Sequence, residues 1–280
     1  MNTPTKTLTP ALPGHSRVEA MNARLAVLLT AIPMIVFLVV VGLVIGALVG
    51  PWIGLAAGLA AGLAVGAWVW RTATSRLLRA VGAHPSDAAE QARAVNLLEG
   101  LCATVGLRCP ELWVIESEAP NCLAVGRSPR HAVVAITTGL SHLLNRVELE
   151  AVLAHELIQI KRNEHASATL AYATVAGPAP GLLAWARTVM SKLHGASEAG
   201  AKDHGKLAAD RAGVMLTRYP PGMIGALARI GAAGSLGGPS GGRLARSTAA
   251  MWLITPDLAG SGPSGGDAGI EERLEALREL

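Results

Sequence analysis

Between Leu25 and Trp70 the chain carries no Asp, Glu, Lys or Arg. At a helical rise of about 1.5 Å per residue this run reaches roughly 69 Å, enough to cross a hydrocarbon layer of about 30 Å twice. Gly50 and Pro51 divide it. The pattern predicts a transmembrane helical hairpin over residues 25–71, with Trp52, Trp68 and Trp70 near the ends, where indole rings favour the headgroup boundary. A secretory signal is excluded by length, since its apolar core runs to only about 7–15 residues. Lys6, Arg17 and Arg24 precede the run, Arg71, Arg76 and Arg79 follow it, and the turn between carries none. The positive-inside rule then puts both flanks in the cytoplasm. The expected organisation is a disordered tail over 1–24, the hairpin, and a cytoplasmic domain over 80–280 of a multi-pass plasma-membrane protein.

The net charge of +4 is modest. The basic residues beside the hairpin suit anionic membrane lipid, and no basic stripe with interleaved aromatics offers a nucleic-acid surface. Cys102, Cys109 and Cys122 are odd in number and form no CxxC pair. In a reducing compartment they are expected to be free thiols, packed as small hydrophobes.

After the hairpin the alternation of patterns predicts an α+β domain. Asp87 and Glu90 make a capping-box pair ahead of Ala88, Ala92, Val95, Leu98, Leu101 and Val105 at helical spacing, which Gly106 ends. The short runs 112–116, 122–126 and 132–137 predict strands, with Pro120, Asn121, Ser128 and Pro129 as turn residues. Asn145 and Glu148 form a second capping box, opening a helix with Leu149, Val152, Leu153 and Ile160 on one face. Residues 166–186 are uncharged but broken by Gly177, Pro178, Pro180 and Gly181, which predicts a broken hairpin on the membrane or the domain. Residues 191–205, 231–242 and 259–269 read as loops or mobile connections.

The second helix carries AVLAHELIQIKRNEH, residues 151–165. Residues four apart on a helix lie about 40° apart around its axis, which lets an HExxH pair of imidazoles meet one zinc ion. Here His155 and Glu156 stand in place, and Gln159 takes the second imidazole's position. An amide is a weak zinc donor beside Cys, His or carboxylate. His165 and His204 are the candidates for rescue, whereas His84, His131, His142 and His194 read as exposed loop or helix-end residues.

The span 121–164, with its TTGL turn and LNRVELEAVLAHELIQI helix, resembles the HtpX-type family of membrane-bound zinc metallopeptidases. So do residues 206–230 (a second helix), 250–257 (a late strand) and 270–280 (a C-terminal helix). The resemblance implies a gluzincin-like domain behind the membrane hairpin and a role in proteolytic quality control of misfolded or membrane proteins. It makes His155 the first zinc ligand, Glu156 the general base and Asp210 the residue that orients His155. Gln159 and Lys206 then occupy the other two ligand positions, and the His-Pro found before IEER in the family is absent. An ammonium about 4 Å from a divalent ion repels it by about 8 kcal/mol at an effective dielectric near 20, against roughly 10–16 kcal/mol of structural zinc binding. The reading is therefore a noncatalytic pseudopeptidase that binds zinc weakly or not at all, with Lys206 paired to Glu156. Its partners are expected to be membrane lipid and an unfolded or membrane polypeptide, met along residues 132–136 as an edge strand, or an active paralogue. The alternative is an active zinc metalloendopeptidase coordinated through Gln159 or His204.

Overall fold

A computed structural model describes residues 50–87, 89–166, 201–233, 251–255 and 267–280, with the isolated positions 40, 42, 169, 172 and 248. The elements are α1 (Pro51–Ala80), β1 (Ala83–Pro85), α2 (Ala92–Val105), β2 (Glu111–Ile115), β3 (Cys122–Gly126), β4 (Ala132–Thr137) and α3 (Thr138–Leu143). There follow α4 (Arg146–Arg162), α5 (Ala201–Thr217), α6 (Pro220–Ala232) and α7 (Asp267–Arg278). The fold is thus mixed helix and strand, and Trp52–Ala80 is the one helix among the described residues long and apolar enough to cross a membrane. The tail 1–24 and nearly all of 25–49 and 166–186 lie outside the described residues.

The sheet has strand order β1-β2-β4-β3, with β2 and β4 parallel and the outer pairs antiparallel. Because successive strand residues point to opposite faces, the apolar runs sort into two cores. Cys122, Ala124, Val134 and Ile136 join the cluster built with α2, α4, α6 and α7. Leu123, Val125, Val133 and Ala135 join Leu77 and Leu78 of α1 and Trp252 on the other face. This parity turns Cys122 toward α4.

Local chemistry explains the boundaries. Asn145 caps α4 by accepting from Val147 and Glu148 N–H at 3.0 Å each, while Glu148 Oε2 accepts from Asn145 N–H at 2.9 Å. Glu148 also pairs with Arg229 of α6 at 3.0 Å, so one carboxylate serves the cap and a helix contact. At the other end Asn163 takes the left-handed conformation, φ 62°, that asparagine tolerates.

Several expectations are corrected. The Asp87–Glu90 box does not open α2, because Asp87 Oδ1 accepts from Ala89 N–H in a local turn and the helix begins at Ala92. Residues 206–230 are two helices, broken where Arg218 adopts φ 55° and Pro220 opens α6. The connection expected over 191–205 is helical from Ala201. Of the late strand expected over 250–257, the described part, 251–255, makes a single bridge, between Leu123 and Trp252. β1, three residues ending in proline, was too short to stand out as a run. Finally, β4 lies between β2 and β3 and is no edge. The edges are β1 and β3, and on β3 Cys122 C=O accepts from Leu253 N–H at 2.8 Å and Gly126 N–H donates to Thr169 Oγ1 at 3.1 Å.

Replacing Asn145 by Ala removes the acceptor for two N–H groups and should cost about 1 kcal/mol of stability. Urea unfolding of the detergent-solubilised chain measures it, and an unchanged midpoint would show the cap to be energetically idle.

Candidate functional site

α4 presents His155, Glu156 and Gln159 on one turn, and α5 lies across it bearing Lys206 and Asp210. The two helices approach closely at Gly213, where a Cβ would stand 3.2 Å from His155 N and force them apart. α7 completes the frame with Arg273, and residues 251–255 close one side.

Asp210 is the centre of the network. Its Oδ1 accepts from His155 Nδ1–H at 2.7 Å, and Arg273 grips both oxygens, from Nε at 2.6 Å and Nη2 at 2.8 Å. The third Arg273 bond runs from Nη1 to Leu253 C=O at 2.9 Å. Burial pushes the Asp210 carboxyl up, but the Arg273 guanidinium and then His155 outweigh it and hold the group down at about 2. An ionised Asp210 fixes the His155 tautomer with the proton on Nδ1 and a lone pair on Nε2. That lone pair meets Gln159 Nε2 at 2.6 Å. With His155 neutral the Gln159 amide presents its N–H here, since its carbonyl would set two acceptors face to face.

Glu156 is fully buried. Its Oε1 accepts from the Cys122 thiol at 3.1 Å, and its Oε2 has no hydrogen-bond partner among the described residues. Burial raises its carboxyl, against the charge of His155, the Cys122 hydrogen bond and the charges of Lys206 and Arg273. Burial, and next the Glu156 charge, pushes the Cys122 thiol well above its ordinary value, so it stays protonated. Lys206 Nζ donates to Thr255 Oγ1 at 3.1 Å. The Lys206 charge also acts on Glu156, lowering its carboxyl against the effect of burial.

Thr255 is placed by Asn121. The Asn121 amide donates to Ile254 C=O at 2.7 Å and accepts from Ile254 N–H at 3.2 Å and Cys122 N–H at 3.0 Å, clamping residues 251–255 to the start of β3. His165 is turned into the interior, with both ring nitrogens lacking a hydrogen-bond partner among the described residues. Desolvation lowers its pKa to about 4. The His204 side chain lies outside the described residues. Among those described, no group of three His, Cys, Asp or Glu side chains could hold a metal ion.

The structure thus brings together His155, Glu156, Gln159, Lys206 and Asp210. Sequence reasoning missed Arg273, Asn121 and Thr255, and took Cys122 only as core. Arg273 lies 63 positions from Asp210, and no local spacing connects them. A basic residue on the apolar side of the last helix was the available hint.

A model of peptidase family M48 matches residues 88–280. A Protease HtpX homolog of Thermodesulfovibrio yellowstonii is 43% identical over 101 residues, 36% of this chain and 36% of that protein. One of Desulfatibacillum aliphaticivorans is 42% identical over 102 residues, 36% of this chain and 32% of that protein. One of Thermococcus kodakarensis is 45% identical over 93 residues, 33% of this chain and 32% of that protein. The matches span about a third of the length of these curated relatives. No solved structure matches the chain.

Asp210 gives the site an acid limit. A carboxyl held below its ordinary value contributes stability that is complete above about pH 4 and lost as the pH falls toward 2. The loss should be about 2 kcal/mol in urea titrations, and Asp210→Asn should flatten that part of the profile. An identical slope in the variant would assign the acid sensitivity elsewhere.

Proposed function

Because the chain belongs to peptidase family M48, we propose that it is a membrane-tethered, noncatalytic member of the HtpX-like group, in which its own side chains fill the place of zinc. The observation that carries this reading is the Gln159 amide on the His155 Nε2 lone pair. Zinc needs that lone pair and further deprotonated donors. The residues present do not fit it: Gln159 is a neutral amide that caps the first ligand, Lys206 brings a positive charge, and the nearby Cys122 is held as a thiol. Glu156 keeps the position of a general base, with its Oε1 hydrogen-bonded by a thiol and no metal-bound water to activate.

A gluzincin-like arrangement is supported by His155 and Glu156 on one helix and Asp210 on the helix packed across it. A membrane hairpin over residues 25–71 is supported by two features. α1 leaves Trp52, Ile53, Leu59, Leu63 and Trp68 exposed. The helical residue Gly42 also packs so tightly on α1 that a Cβ there would come 2.6 Å from Gly58 Cα, the close approach that small residues permit in membrane helix pairs. Under this reading the chain is a multi-pass plasma-membrane protein with its domain in the cytoplasm. Its partners are membrane lipid and an unfolded or membrane polypeptide, or an active paralogue, met elsewhere than along the interior strand β4.

Metal analysis of the purified full chain should find zinc far below one ion per chain at neutral pH. The double variant Gln159→His, Lys206→Glu should gain zinc, because it restores two donors around an oriented His155. Stoichiometric zinc in the wild type, with casein hydrolysis lost in Glu156→Gln, would overturn the proposal in favour of an active endopeptidase. For topology, a C-terminal epitope in spheroplasts should resist external protease and be digested after lysis. Digestion before lysis would place the domain outside.

A further inference from the structure

The last turns of α1 gather three guanidinium groups with no acid nearby in the chain. Arg71, Arg76 and Arg79 follow one another closely, whereas Asp and Glu are absent between Leu25 and Ser86. At about 100° per residue the three occupy roughly 140° of the helix circumference, with Trp68 between Arg71 and Arg79. Trp68, Arg71 and Arg79 are exposed and Arg76 is partly so. The Arg76 guanidinium lies 3.8 Å from the centre of the Trp68 ring. Helical side chains lean toward the N-terminus, so this stacking carries the Arg76 charge back toward the apolar part of α1. Arg79 Nε donates to Ser75 C=O at 3.1 Å. Among the described residues none of the three arginines forms an ion pair. We propose that Trp68, Arg71, Arg76 and Arg79 form a binding site for the phosphate of an anionic phospholipid of the phosphatidylglycerol class. The inference rests on the membrane reading of α1 and adds to it the lipid class and the residues that select it.

Helix-end electrostatics accounts for Arg79 alone. A cation in the last turn meets the negative end of the macrodipole, but that effect fades within a turn, and Arg71 lies more than two turns before Ala80. Arg76 and Arg79 are three positions apart, so their side chains are neighbours and repel each other unless an anion stands between them. The Trp68 ring holds the Arg76 guanidinium by its face, which leaves the planar edge for a bidentate contact with phosphate oxygens. Trp68 favours the headgroup boundary, and on its N-terminal side Leu59, Leu63 and Val65 are exposed apolar surface. A phosphate at the level of Trp68 therefore belongs to a lipid whose acyl chains run along those residues. A zwitterionic headgroup brings its own ammonium to the same place and gains less, which selects the anionic class.

The full chain in dodecyl maltoside is titrated with dioctanoyl phosphatidylglycerol, dioctanoyl phosphatidylcholine or inorganic phosphate, and bound ligand is counted by native mass spectrometry. The phosphatidylglycerol adduct should form at the lowest concentration. One guanidinium beside an anionic lipid surface is worth roughly fivefold in binding, so Arg76→Gln should weaken that adduct about fivefold. Arg71→Gln, Arg76→Gln and Arg79→Gln together should weaken it roughly a hundredfold. Arg108→Gln with Arg130→Gln, two exposed changes elsewhere on the domain, should leave it unaltered. Equal adducts with the two lipids, an equal loss in the Arg108 and Arg130 variant, or inorganic phosphate bound as tightly as phosphatidylglycerol would overturn the proposal. Flotation with phosphatidylcholine vesicles after detergent removal separates this site from the reading beneath it. A chain that floats but shows no preference for phosphatidylglycerol loses only the lipid site, and a chain that does not float loses the membrane reading and the site with it.

Discussion

A carboxylate with no exposure to water needs compensation, and Asp210 receives it from two side chains. The bidentate Arg273 contact cancels its charge, His155 takes a share of one oxygen, and Arg273 in turn is held by the Leu253 carbonyl. These contacts tie α4, α5, α7 and residues 251–255 into one body. Removing one partner of such a buried pair typically costs about 3–5 kcal/mol, because the other charge is left stranded. The frame that orients His155 is built from the side chains of Asp210 and Arg273 and the Leu253 carbonyl.

Glu156 shows the other side of that independence. A catalytic carboxylate beside zinc faces a divalent charge, whereas here Oε1 has a thiol donor and Oε2 has no partner among the described residues. The nearby ammonium of Lys206 lowers the carboxyl's pKa through space, yet burial dominates and the net shift is upward. The position therefore favours the neutral acid more than an exposed glutamate does.

Legibility in the sequence followed the range of the interaction. The α4 cap was readable because Asn145 and Glu148 are three residues apart, and β3 and β4 were readable because each is a short apolar run bounded by turn residues. The Asp87–Glu90 pair had the same pattern and failed, since a local Asp87 turn satisfied the backbone first. The likeness to known sequences brought His155 and Asp210 together across 55 positions. It did not supply Arg273 or the Asn121 clamp, which links positions 133 apart. Asn121 looked like a turn residue, and its side chain instead builds part of the pocket wall through Thr255. The interior place of β4 was equally hidden, because strand order depends on pairings that no single run encodes.

The same physics governs how the helix α1 enters the domain. Its last turns carry Val69, Ala73, Leu77 and Leu78 into buried contacts, the latter two against the sheet face that holds Leu123, Val133 and Trp252. Its first turns leave Trp52, Ile53, Leu59 and Leu63 open. Arg76 lies over the Trp68 ring at 3.8 Å, near where the exposed apolar side gives way to the packed one. One continuous helix therefore changes its surroundings along its length without a hinge. The apolar first turns and the packed last turns belong to one helix, so the buried contacts of Leu77 and Leu78 fix where that helix leaves the sheet.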